Sequence, residues 1–193
     1  MPADNTPAPD DARVPYATFG QRFFEHAVTE ARIVGALDGL AGDKISFGPI
    51  GAGPGRLAQV RADGEIGKAS ATRLPGDEVA FRLSIPVTLD LDIDLGLDRH
   101  KFHAAVIVGL TLTARAAEPL RVVIDIEPPT WRDVTVAVEA EGLRATVLQR
   151  VSGMDREIGS FVAKFVAREL EKPHISAARD IDVATRIDGA WAM

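Results

Sequence analysis

The sequence contains no cysteine. Disulfides, thiolate nucleophiles and thiolate-held zinc or iron–sulfur centres are therefore excluded. It has no cluster of Lys and Arg, and the net charge is −6. Nucleic-acid binders carry a basic surface or stripe, so a nucleic-acid partner is not expected. Anionic membrane surfaces are disfavoured for the same reason. No run approaches the ~18–20 apolar residues of a membrane span. The first fifteen residues, MPADNTPAPDDARVP, hold four Pro and three Asp. They have no basic start and no apolar core, so they do not read as a signal peptide. We expect a disordered tail over residues 1–15, a single domain over 16–193, and a cytoplasmic location. An apolar share of 46% is enough to fill a core.

Motifs with chemistry are equally sparse. Residues 44–57, KISFGPIGAGPGRL, are rich in Gly but end in Gly55-Arg56-Leu57. A phosphate-cradling Walker loop would end in Gly-Lys-Ser or Gly-Lys-Thr. A dinucleotide fingerprint would run into a helix, whereas the residues from Leu57 to Ala62 look like another strand. A bent or bulged strand pair is the better reading, because Gly relieves crowding there. Ser84, Ser152 and Ser160 lack a nucleophile elbow. Asp90, Asp92 and Asp94 alternate, with Asp98 beyond. On a strand such carboxylates run parallel about 7 Å apart and do not converge on a cation. We read them as a solvated face that keeps the strand soluble. His100 and His103 point to opposite faces of a strand and have no third ligand nearby. No metal and no cofactor is expected.

What the chain does have is a stretch of nineteen residues, 79–97, with every odd position apolar. The set is Val79, Phe81, Leu83, Ile85, Val87, Leu89, Leu91, Ile93, Leu95 and Leu97. Period-two alternation puts that set on one face of a strand. At roughly 3.3 Å per residue the stretch spans about 60 Å. It breaks at Pro86 into two collinear pieces, or it belongs to a long bent sheet. Residues 102–114 alternate again, now with Phe102, Ala104, Val106, Val108, Leu110, Leu112 and Ala114 apolar. The two form a long antiparallel hairpin. Shorter alternations follow over 122–126 and 134–138, with a last strand over 143–151. A strand is also expected over 57–66, with a bulge at Gly64.

Two amphipathic helices flank these strands. The first runs from Phe19 to about Leu40, capped by Thr18, with Phe23, Ala27, Ala31, Val34 and Leu37 on one arc. The second is capped by Ser152, carries Ile158, Phe161, Val162, Phe165 and Val166 at helical spacing, and ends at Pro173. Glu169 lies near the middle of that stripe. About six strands with short connections favour an antiparallel meander. The expected fold is α+β: a long, strongly bent antiparallel sheet wrapped around an N-terminal and a C-terminal amphipathic helix.

This order resembles the tubular lipid-binding superfamily, which includes the bactericidal/permeability-increasing protein modules and the synaptotagmin-like lipid-transfer modules. It is most similar to the small bacterial members. The resemblance covers residues 16–188. It implies a curved sheet around an apolar cavity, and non-catalytic binding or transfer of a lipid or other hydrophobic small molecule. The implied lining is Phe81, Leu83, Ile85, Val87, Leu89, Val106, Val108, Leu110, Phe161 and Phe165. Two other readings stay open. One is a cyclase- or isomerase-like enzyme using the same pocket. The other is a structural or assembly protein whose apolar face is a closed core or a homodimer interface.

Overall fold

The computed structural model describes residues 13–52, 58–94, 96, 99–139 and 154–191. Residues 1–12 of the expected tail over 1–15, the strand over 143–151 and the Ser152 cap lie outside these. Among the described residues the chain is α+β, with an eight-stranded antiparallel sheet curled into a half-barrel and helices at both ends.

The sheet is built on the predicted hairpin. Strand β4 (Ala80–Asp94) and strand β5 (Arg99–Ala117) pair without interruption from Ala80–Thr113 to Asp94–Arg99. Pro86 does not break β4, and the reason lies in its neighbours. Strand β2 (Ala58–Ile66) pairs with β4 from Val87 to Asp94, and strand β3 (Ser70–Arg73) pairs with it from Phe81 to Ser84. Pro86 falls in the gap between the two. Its carbonyl accepts the Gly67 N–H at 2.8 Å on that side. The donor that proline lacks would have pointed the same way, where no ladder runs.

The far side of β5 is shared in the same manner. Strand β6 (Arg121–Ile126) pairs with Leu112 to Ala117, and strand β7 (Val134–Glu139) pairs with His103 to Val108. This departs from the expected meander: β7 returns past β6 to lie on the same edge of β5. Strand β1 (Lys44–Ala52) lies outside β2, and strand β8 (Asp180–Asp182) outside β6. The count of about six strands missed β3 and β8, which are too short to show a period.

The bulge is not at Gly64, where pairing is regular on both sides. It falls between Phe47 and Ile50 of β1, at Gly48-Pro49. Gly48 has φ +109°, and a Cβ there would stand 2.5 Å from the Val60 carbonyl oxygen. Only glycine fits that position.

The N-terminal arc is two helices rather than one. Helix α1 (Tyr16–Ala27) begins after Pro15, so Thr18 lies within it and does not cap it. The chain is extended at Val28, which is buried. Helix α2 (Glu30–Leu37) then starts with Thr29 Oγ1 accepting the Arg32 N–H at 3.3 Å. Arg32 Nη1 reaches back to the carbonyls of His26 and Ala27 at 3.1 and 2.8 Å and satisfies the end of α1. A new N-cap inside an amphipathic arc stops one helix and opens another.

The C-terminal helix, α3 (Met154–Leu170), packs on β7 and on the 3-10 turn Trp131–Asp133 before it. Arg156 Cζ lies 4.5 Å from the Trp131 ring centroid. On the other side of the half-barrel, Phe161 stacks on Phe47 of β1 with ring centroids 4.7 Å apart. Helix α3 therefore spans from one edge of the curled sheet to the other. It ends at Leu170, and Pro173 instead opens a short helix, α4 (Pro173–Ala178). Helix α5 (Val183–Trp191) follows β8.

Candidate functional site

Strand alternation gives the half-barrel two unlike faces. Register places Val60, Ala62, Leu91, Ile93 and Phe102 in the inward rows near the β4–β5 tip. Val87 with Val106, Ile85 with Val108, and Leu83 with Leu110 continue them. Phe81 with Leu112 and Ile126 closes the other end.

Each of the ten residues expected to line a site lies on this inner face or on α3. Leu83, Leu89 and Val108 are 2% exposed and Val106 is 1% exposed. Phe81, Leu110 and Val87 are also buried. Protein atoms surround all seven, so these residues form core rows in the conformation described. Ile85, Phe161 and Phe165 differ, because they are only half-buried. Exposure on the inward set of β4 rises at Ile85, beside the gap between β2 and β3. Ala69 and Ala71 next to it are half-buried as well. Helix α2 packs on β3 here, presenting buried Ile33 and half-buried Leu37. The inner face is thus sealed over most of its length and half-open along a strip between α2 and the sheet.

Among the described residues two polar side chains share the inward rows: His100 opposite Ile93 at the tip, and Arg73 opposite Phe81 at the other end. Arg73 was not expected in any site. Four residues of strand give too little alternation to show which way its side chain points. The carboxylate of Glu30 on α2 accepts the Arg73 backbone N–H at 2.6 Å and fastens the helix to β3. Glu169, the acidic residue in the α3 stripe, is partly exposed and pairs with Lys172 Nζ at 2.7 Å.

The outer face is polar. Its three alternating aspartates stand opposite cations or a histidine on β5: Asp90 faces His103, Asp92 faces Lys101, and Asp94 faces Arg99. His103 Nδ1 lies 2.5 Å from Asp90 Oδ1, and Arg99 Nε lies 3.2 Å from Asp94 Oδ2. The Gly96 N–H, donated at 2.8 Å, holds the Asp94 carboxyl below the usual carboxylate range, with Arg99 adding to it. Ser46 Oγ donates to Asp63 on the same face at 2.5 Å. Asp63, Asp90 and His103 border an open hollow of about 530 Å³, lined also by Lys44, Glu65 and Thr88. Among the described residues no three acidic or histidine side chains are placed to hold a metal ion. No helix among the described residues is long and apolar enough to cross a membrane.

Comparison with protein-family models finds no match, and comparison with curated proteins finds none.

Proposed function

We propose that the protein binds a hydrophobic small molecule, such as a lipid acyl chain, without transforming it. The half-open strip along Ala69, Ala71 and Ile85, beside α2, carries this reading. It is apolar, lies next to a sealed apolar face, and is bordered by a short helix on a short strand. An apolar chain laid there loses water at about 0.8 kcal/mol per methylene.

Native mass spectrometry of freshly purified protein, followed by organic extraction, tests the proposal. A bound hydrophobic molecule, or stoichiometric binding of a fluorescent fatty acid, is the expected result. Ile85→Trp fills the strip and abolishes that binding with the fold retained. Leu83→Trp, in a sealed row, costs about 1–3 kcal/mol of stability instead.

A second reading has its own observation. The near-complete enclosure of Leu83, Leu89, Val106 and Val108 suits a closed core in a structural or assembly protein. Protein that carries no extractable molecule and binds no apolar probe supports that reading and overturns the first.

A further inference from the structure

Arg73 is the one charged side chain that strand register places on the inner face among the described residues, apart from His100 at the opposite end. Its guanidinium lies over Phe81, with Cζ 5.5 Å from the ring centroid. Nη1 donates to the carbonyls of Leu74 and Ala80 at 2.7 and 3.0 Å. Those acceptors are neutral. Among the described residues no carboxylate comes within ion-pair distance of this guanidinium, and Glu30 spends its Oε1 on the backbone N–H instead. Nε and Nη2 are left as a pair of parallel donors without an acceptor among the described residues.

A cation half withdrawn from water is costly without a counter-anion. A guanidinium edge of two parallel N–H groups fits a carboxylate or a phosphate in a bidentate pair. An apolar strip runs on from Arg73 along the same face. On the same face, Ala71 and then Ile85 follow Arg73, and both are half-buried. The span from the row of Phe81 to the row of Ile85 is about 13 Å at strand rise. Aromatic Phe81 fixes the guanidinium plane at the head of that strip.

We infer that Arg73 anchors the anionic head group, a carboxylate or phosphate, of an amphipathic ligand whose apolar chain lies along Ala71 and Ile85. The inference rests on the hydrophobic-ligand reading above and gives it a chemical class: acids with an apolar tail, in preference to neutral esters, alcohols or hydrocarbons. The two carbonyls and Phe81 hold the guanidinium in place before the ligand arrives, so little side-chain freedom is lost on binding.

The test compares cis-parinaric acid with its methyl ester, by fluorescence titration of the wild-type protein, Arg73→Gln and Arg73→Lys. Wild type should bind the acid at least about tenfold more tightly than the ester. Arg73→Gln should bind both with the affinity of the ester, and Arg73→Lys should recover part of the preference. Equal wild-type affinities for acid and ester overturn the assignment, as does an undiminished preference in Arg73→Gln. Either result leaves the hydrophobic-ligand reading standing, because the ester is bound. Failure of wild type to bind either probe removes that reading and this inference with it. Acetate and inorganic phosphate, added alone as competitors, should displace the acid only weakly. Displacement by either at micromolar concentration would mark Arg73 as a site for a free anion and overturn the amphipathic ligand. Circular-dichroism melts establish that the variants are folded. If Arg73→Gln does not fold, the wild-type ratio of acid to ester decides the matter.

Discussion

Gly64 on β2 faces Leu89 on β4 with no space for one more carbon between them. A Cβ at Gly64 would stand 2.5 Å from Leu89 Cδ2 and would press on the Thr88 carbonyl oxygen. Leu89 is sealed in the core, so its side chain has nowhere to retreat. The glycine is a packing requirement of the curled sheet.

Gly64→Ala should therefore destabilise the protein by about 1–3 kcal/mol, the usual range for overpacking a filled core. Gly35→Ala in α2 should do the opposite. Nothing lies within 4 Å of a Cβ at Gly35, and its backbone is helical. Removing the entropy of a helical glycine stabilises by about 0.5–1 kcal/mol. Urea denaturation of the two variants provides the comparison. Equal effects, or a neutral Gly64→Ala, would mean that β2 and β4 leave room for a methyl group between Gly64 and Leu89.

How far such features were legible in the sequence depends on their length. Fifteen residues of β4 and nineteen of β5 repeat a period of two many times, so strand, face and partner all follow. The register itself is written in the charges: Asp90, Asp92 and Asp94 match His103, Lys101 and Arg99 one for one across the hairpin. Alternation alone marks the aspartates only as a solvated face. Short elements carry no such signal. Ser70–Arg73 and Asp180–Asp182 have four and three residues and are strands because of what they pair with. The break at Val28 was hidden because the apolar arc continues through it while the new cap, Thr29, is one ordinary polar residue. For the candidate site, alternation identified the inner face. It gave no sign of which rows are sealed and which are half-open, since that depends on where α2 and α3 lie. The face of Arg73 is illegible for the same reason as its strand: four residues show no period.

Acid should weaken the protein through its capping aspartates. Asp133 accepts the Thr130 backbone N–H at 2.9 Å and the Thr130 hydroxyl at 2.8 Å, with Arg82 Nη2 at 3.4 Å. The Thr130 backbone N–H, then the Thr130 hydroxyl and Arg82, hold its carboxyl below the ordinary 3.8. Asp182 is lowered likewise by the Thr185 N–H and hydroxyl. A carboxyl whose value is lower folded than unfolded binds protons less readily when folded. Its contribution is complete above the unfolded value and is lost as pH falls through the folded one. Stability should thus be flat above about pH 5 and fall below about pH 4. Asp133→Asn should be less stable than wild type near neutrality and should show a shallower decline in acid. Urea midpoints from pH 2.5 to 7 measure both. Parallel curves for wild type and variant would show that Asp133 does not contribute to the acid sensitivity.

The stack of Phe47 on Phe161 ties α3 to β1, the edge of the sheet opposite β7. If that tie closes the half-barrel, the two rings should be energetically coupled. The cycle compares Phe47→Leu, Phe161→Leu and the double variant with wild type by urea denaturation. Leucine keeps much of the apolar volume and removes the ring contact, so the coupling reports on the pair rather than on a cavity. The expected interaction is about 0.5–1.5 kcal/mol, as for aromatic pairs at this separation. Each single variant should also raise the binding of an apolar probe, because a loosened α3 exposes Ile158, Val162 and the core rows they pack on. Additive effects within about 0.3 kcal/mol would place the rings in independent environments and leave α3 fastened through β7 and Trp131 alone.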